Sequence, residues 1–200
     1  FDGGEITSDA GILLLRERAV QINLFERMAG CFVDHRDPSR TRHSLSTLLS
    51  QRVCAMALGY EDINDHDALR HDPALKLLAN PAPISPKTPA PLAGKSTLNR
   101  FEHSWEIGNR RYHQFVPDLK KLNALFVDLF LESYHTPPKQ ITLDIDATDV
   151  KAHGSQENSF FNGYYEHRCF MPLYVFCGHQ LLLAQLRPSD IDGAKGARNV

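Results

Sequence analysis

The hexapeptide Leu143-Asp144-Ile145-Asp146-Ala147-Thr148 sets two carboxylates two residues apart among apolar neighbours. In an extended chain, successive side chains point to opposite faces. Asp144, Asp146 and Thr148 then share one face. Leu143, Ile145 and Ala147 share the other, where Leu143 and Ile145 are expected to anchor the strand in a core. Burying an unpaired carboxylate is costly. A divalent cation removes that cost, because carboxylate oxygens are natural ligands of Mg²⁺, and Mn²⁺ takes the same donors. Such an ion keeps room for phosphate oxygens, and a pair of them about 3.5–4 Å apart activates water and stabilises the leaving oxygen of a phosphodiester. The plainer alternative is a solvated face whose acids protect a sheet edge. Alternation alone leaves Asp144 and Asp146 equal candidates.

A second group suits phosphate contact. Arg100, Arg110, Arg111, Lys120 and Lys121 lie in a mixed region with Phe101, Trp105 and Tyr112. Residues 81–140 hold 8 Lys and Arg against 5 Asp and Glu, a balance of +3, whereas residues 1–80 stand at −3 and residues 141–200 at −2. Positive potential attracts the nucleic-acid backbone. The alternative is an amphipathic helical pair with solvated cations. Tyr164, Tyr165, His167 and Arg168 precede a strand and are candidates for phosphate contact near the acids. The net charge of −2 argues against a protein that merely coats DNA.

Other patterns weaken on inspection. Ala93-Gly94-Lys95-Ser96-Thr97 resembles the end of a phosphate-binding loop, but Pro89 stands where that loop needs Gly. No nucleotide cofactor is expected, and Ser96 reads as a helix cap. Asp62, Asp65, His66, Asp67, His71 and Asp72 read as a solvated acidic helix, with Asp62 and His66 one turn apart. The 4 cysteines form no C-x-x-C pair and read as reduced, mostly buried thiols rather than a zinc site.

These residues need elements to hold them. Helical spacing predicts helices over residues 8–29, capped by Thr7 or Ser8 and ended by Gly30, and over 44–58, ended by Gly59. Asp72-Pro73 opens another. Pro81, Pro83, Pro86, Pro89 and Pro91 mark a linker. Helices at 96–104 and 109–134 follow, the latter stopped by Pro137-Pro138. Residues 141–150, 170–176 and 180–186 then read as strands of an antiparallel meander, with Gly178-His179 as a tight turn. The expected class is α+β or α/β. The expected organisation is a helical domain over 1–80, a Pro-rich linker over 81–95, a helical connector over 96–138 and a second domain from 139. No apolar run reaches about 18 residues, so no transmembrane helix is expected. The chain opens without Met and closes without a stop signal, and a fragment is expected.

Several motifs, in order and spacing, resemble the DDE group-one transposases of bacterial insertion sequences. They begin with Phe1-Asp2-Gly3-Gly4 through Ser8-Asp9-Ala10-Gly11, then Gly59-Tyr60-Glu61-Asp62 through His71-Asp72-Pro73, and Leu98-Asn99-Arg100-Phe101-Glu102. Leu143-Asp144-Ile145-Asp146-Ala147-Thr148-Asp149, Gly163-Tyr164-Tyr165, Pro172-Leu173 and Leu186-Arg187-Pro188 follow. The resemblance implies an RNase H-like core whose first strand carries the first acid of an Asp-Asp-Glu triad in a D-x-T setting. That setting matches Asp146-Ala147-Thr148 and favours Asp146 over Asp144 as catalytic metal ligand. It also implies Mg²⁺ or Mn²⁺, transposon-end and target DNA as partners, a homodimer as a common assembly, and a bacterial cytoplasm with its nucleoid as the setting. The second Asp and the Glu are expected beyond residue 200, with Asp190 and Asp192 read as a turn and helix start. The competing readings are an RNase H-like nuclease without strand transfer and a non-catalytic DNA-binding or assembly remnant.

Overall fold

The computed structural model describes residues 6–79, 90–104, 114–154 and 156–199. The chain forms two compact units, Phe1–Leu119 and Lys120–Val200. It mixes helices with small sheets, and every strand pair among the described residues is antiparallel. The class is therefore α+β.

In the first unit, helix α1 spans Ile12–Gln21 and α2 spans Leu24–Ala29. The single helix predicted over 8–29 is broken at Asn23, which adopts a left-handed φ of 51°. Asn tolerates that conformation better than most residues. The apolar rhythm survives the break because Phe25 packs on the same cluster that holds Ile12. The predicted cap also fails: Gly11 precedes α1 with no side-chain bond, while Thr7 Oγ1 accepts from the Asp9 N–H at 2.9 Å.

Helix α3, Leu45–Ala57, opens at Ser44, whose hydroxyl accepts from the Thr47 N–H at 3.1 Å. Its buried Cys54 and Ala55 join Leu75 and Leu78 in one apolar cluster; its Leu45, Leu48 and Leu49 join Leu98 and Phe115 in another. Helices α4, His66–Leu69, and α5, Pro73–Ala79, follow, and Asp72 Oδ1 accepts from the Leu75 N–H at 2.9 Å, as Asp72-Pro73 implied. Strand β1, Phe32–Asp34, lies outside the predicted elements. It pairs with β2, Phe115–Pro117, beyond helix α6, Lys95–Glu102.

Strand β2 corrects the helix predicted over 109–134, which starts only at Leu119 as α7, Leu119–Glu132. Phe115 falls at helical spacing to Leu119, but it is buried and meets Phe101 edge to face at 5.2 Å. Pairing with a distant strand overrides the local rhythm.

One amide ties this unit together. Gln51 Nε2 donates to the Ala93 carbonyl at 2.8 Å, and Gln51 Oε1 accepts from the Ala93 N–H at 3.0 Å. The same nitrogen lies 3.0 Å from His66 Nδ1. His66 is fully buried, which overturns its reading as part of a solvated acidic face. Asp62 does not reach it; that carboxylate accepts from the Asn64 N–H at 2.8 Å.

In the second unit, strands β3, Asp144–Ala147, β4, Val150–Lys151, β5, Phe160–Asn162, β6, His167–Phe170, β7, Leu173–Cys177, and β8, Gln180–Gln185, form two sheets ordered β3-β7-β8 and β4-β6-β5. The expected meander exists as β3-β7-β8, with the second sheet inserted between its first two members. The strand predicted over 141–150 is divided between the sheets. So is the one predicted over 170–176, at Pro172, which has no N–H to extend a ladder. Gly178 turns β7 into β8 at a φ of +59°. Helix α7, with Leu125 and Phe130 buried, ends at Glu132, ahead of Pro137-Pro138. All four cysteines are free, and Cys31, Cys54 and Cys169 are buried.

Candidate active site

Strand β3 runs antiparallel to β7 with Asp144 opposite Phe176, Ile145 opposite Val175, Asp146 opposite Tyr174 and Ala147 opposite Leu173. Cross-strand partners share a face. The acids therefore share theirs with the Tyr174 and Phe176 rings, which lie 6.2 Å apart. The other face is apolar, and Leu173 and Val175 are buried on it.

The expected anchoring of β3 is corrected. Leu143 is 48% exposed and Ile145 43% exposed. Among the described residues β3 pairs only with β7, so it is an edge strand and its apolar side chains are covered from one side alone. The core of this sheet sits on β7.

Asp144 and Asp146 are exposed, and neither carboxylate has a hydrogen-bond or ion-pair partner among the described residues. Two positions along a strand put their Cα atoms roughly 6.8 Å apart. Asp146 stands at a cleft of about 350 Å³ lined also by Ile145, Ala147, Leu173, Gly193, Ala194 and Ala197. Ile145, Ala147 and Leu173 belong to the apolar face, so this cleft lies on the side of the strand away from the Asp146 carboxylate.

Arg187 builds the far wall. It is buried, and its guanidinium donates to the Met171 carbonyl at 3.0 Å, to the Gly193 carbonyl at 3.0 Å and to the Lys195 carbonyl. This fixes the 193–195 loop beside β3. Asp192 Oδ1 accepts from the Ala194 N–H at 2.8 Å, the turn role expected of it. Arg187 thus holds in place the loop that forms one wall of the cleft.

Asp149 differs from the other two acids. Its Oδ2 lies 2.7 Å from His167 Nε2, so the carboxylate is already engaged. The Tyr165 ring lies 6.1 Å from the His167 ring. Burial first, then the charge of Asp149 and, less strongly, of Asp146, hold the Tyr165 phenol above its ordinary range. Asp149, Tyr165 and His167 thus form one cluster. Among the described residues no three His, Cys, Asp or Glu side chains converge on a common point.

The cations predicted for DNA contact are dispersed. Arg100 is exposed on α6; Lys120 and Lys121 are exposed on α7. Arg168 donates to the Ser159 carbonyl across the β5–β6 sheet. Arg110 and Arg111 lie outside the described residues. The loop-like pentapeptide has another explanation: a Cβ on Gly94 would meet Arg70 Nη1 at 2.8 Å, so the glycine makes room for a guanidinium. Ser96 is not the cap of α6; Asp67 Oδ1 accepts from the Lys95 N–H at 3.1 Å instead. Sequence reading missed Arg36, Arg40 and Arg42, because they fall in the segment whose net charge is negative.

A family model described as transposase DDE domain group 1 matches residues 1–200. The chain belongs to this family. Searches of curated proteins and of solved structures return no match. Several motifs that carried the resemblance prove structural in this transposase-family chain. The Tyr60 hydroxyl donates to Asp9 Oδ2 at 3.2 Å, joining two of them, and Glu102 pairs with Arg52. No described helix is long and apolar enough to cross a membrane.

Proposed function

We propose that this chain is part of a DNA transposase that cuts at transposon ends and joins the freed 3′-hydroxyl to target DNA, with Asp146 as its first catalytic acid. Residues 139–200 open an RNase H-like catalytic domain in this reading, and β3 is its first strand. One observation carries it: Asp146 is an exposed carboxylate with no hydrogen-bond or ion-pair partner among the described residues, on an edge strand, in a chain of the DDE transposase family.

The donor set fits a divalent cation in part. Mg²⁺ takes one or two protein carboxylates and fills its remaining positions with water and phosphate oxygens. Asp146 would hold it, with Asp144 on the same face as the second donor. Bound there, the ion supplies activated water and charge stabilisation at the leaving oxygen. Two further acids are needed to complete a triad, and among the described residues no three His, Cys, Asp or Glu side chains converge on a common point.

The test is Asp146→Asn in the protein expressed from its whole reading frame. Mg²⁺-dependent cleavage of a transposon-end duplex is expected to fall by a factor of about 100 or more, with the fold retained. Undiminished cleavage by this variant removes Asp146 from the chemistry.

A further inference from the structure

The first unit carries an open cleft of about 580 Å³ whose charge the chemistry of Asp146 does not use. Its walls bring together arginines that are far apart in sequence: Arg36, Arg40 and Arg42 from the loop after β1, Arg70 from the end of α4, and Arg100 from α6. They are not equivalent. Arg36 is a fixed part of the structure. It binds both Asp34 oxygens, donates to the His43 carbonyl at 2.9 Å and lies over the Phe115 ring at 4.5 Å. Arg40 sits loosely beside Asp37, at 3.8 Å.

Arg42, Arg70 and Arg100 have no side-chain hydrogen-bond or ion-pair partner among the described residues. The Arg70 Nε is buried with no acceptor. The two acids in the cleft are committed elsewhere. Asp37 accepts from the Ser39 N–H and hydroxyl at 2.9 and 2.8 Å, and Asp67 holds the Lys95 ammonium at 3.2 Å. Arg42 and Arg100 therefore face the opening with no ion-pair partner among the described residues, and Arg70 has the Asp67 charge nearby but forms no ion pair with it. The field is felt locally: after burial, the charges of Arg42, Arg70 and Arg36 push the His43 imidazole below its ordinary pKa.

We infer that this cleft, through Arg42, Arg70 and Arg100, grips the phosphate backbone of duplex DNA. Guanidinium groups bind phosphate oxygens in a two-pronged fashion and stay charged at all working pH values. The cleft is open and its free cations come from three separate elements, which suits successive phosphates better than one small anion. Its aromatic ring, Phe115, is only 3% exposed and lies under Arg36. It offers no platform for unstacked bases, which single strands require. The preference for DNA over another polyanion rests on the transposase reading; the anion site itself rests on the charges.

The test measures duplex binding by fluorescence anisotropy over a salt series, using the whole protein. Arg42 and Arg100 are exposed, so Arg42→Ala with Arg100→Ala is expected to leave thermal unfolding unchanged. Affinity is expected to drop roughly tenfold or more, and the slope of log K against log salt to become shallower by about 2. Arg18→Ala, which removes an exposed cation on α1, serves as the charge control and is expected to change the slope little. No binding by the parent protein, an unchanged slope in the double variant, or an equal change in the control would each overturn the inference. Asp146→Asn is expected to bind normally. Normal binding with retained cleavage by that variant sinks the catalytic assignment and leaves the cleft standing. Lost binding in the double variant with cleavage still tracking Asp146 supports both.

Discussion

The Gln51–His66 cluster and the Asp144–Asp146 pair are both polar groups set among apolar neighbours, yet they have opposite fates. Gln51 and His66 are fully buried; the Gln51 amide is satisfied by backbone and imidazole at 2.8–3.0 Å, while His66 Nε2 is left without a partner among the described residues. The carboxylates are exposed and have no hydrogen-bond or ion-pair partner among the described residues. A polar group enclosed and satisfied by its own chain is committed to the fold. One left bare on an edge strand is available to something from outside. The difference separates structural from functional polarity better than residue type does: sequence reading assigned His66 to a solvated surface and Asp144–Asp146 to a half-buried strand, and both assignments changed.

That contrast can be broken by substitution. The largest stability effect is expected at the amide. Gln51→Ala strips the Ala93 N–H and carbonyl and His66 Nδ1 of their partners and leaves a void, a loss of about 4 kcal/mol in urea unfolding. A loss under about 1 kcal/mol would mean that the cluster is not the fastening described.

Acid should find the same place. Burial, and then the charge of Arg52, bring the His66 pKa down to about 4. The unfolded chain, with His near 6.5, therefore binds a proton that the folded chain refuses. The contribution is intact above about pH 6.5, shrinks as the pH falls, and reaches a loss of about 3 kcal/mol below pH 4. Unfolding midpoints at pH 7 and pH 4.5 should diverge, and the divergence should narrow in His66→Gln. Equal divergence in both proteins would assign the acid sensitivity to other groups.

A smaller effect is expected at the cap of α5, where Asp72→Ala removes the acceptor for Leu75 N–H and costs about 1 kcal/mol. The smallest is at the bare acid: Asp146→Asn should shift stability by no more than about 0.5 kcal/mol while abolishing cleavage. A strongly stabilised Asp146→Asn would show an unfavourable charge there; a strongly destabilised one would show a hidden partner. Either result narrows the distance between the two regions.

Legibility in the sequence followed the reach of the interactions. Ser44 opening α3, Asp72-Pro73 opening α5 and Gly178 turning β7 into β8 are local events, and local patterns revealed them. The position of Asp146 on a strand was likewise legible from alternation. Phe115 in β2 was not, because its pairing partner lies more than eighty residues away at Asp34. Nor was the exposure of Leu143 and Ile145, since alternation says which residues share a face but not whether anything covers it. The wall of the Asp146 cleft was hidden for a third reason. It exists because one guanidinium, Arg187, gathers carbonyls from three places, and no spacing rule announces that. The basic cleft was masked by averaging, since all of its arginines but Arg100 come from a segment of net negative charge.

The Gln51 amide has one more consequence, for how the chain reaches its fold and how it varies. In giving and receiving one hydrogen bond each at Ala93, it supplies the rung that a neighbouring strand would otherwise provide, across a separation of 42 residues. Helix α3 can form from local contacts, but that rung must wait for a large loop to close. Contacts of long separation slow folding. Closure entropy, however, rises only by about 0.6 kcal/mol for each doubling of loop length. The stretch between Gln51 and Ala93 can therefore lengthen or shorten in related chains at little thermodynamic penalty, provided that both ends of the rung are kept.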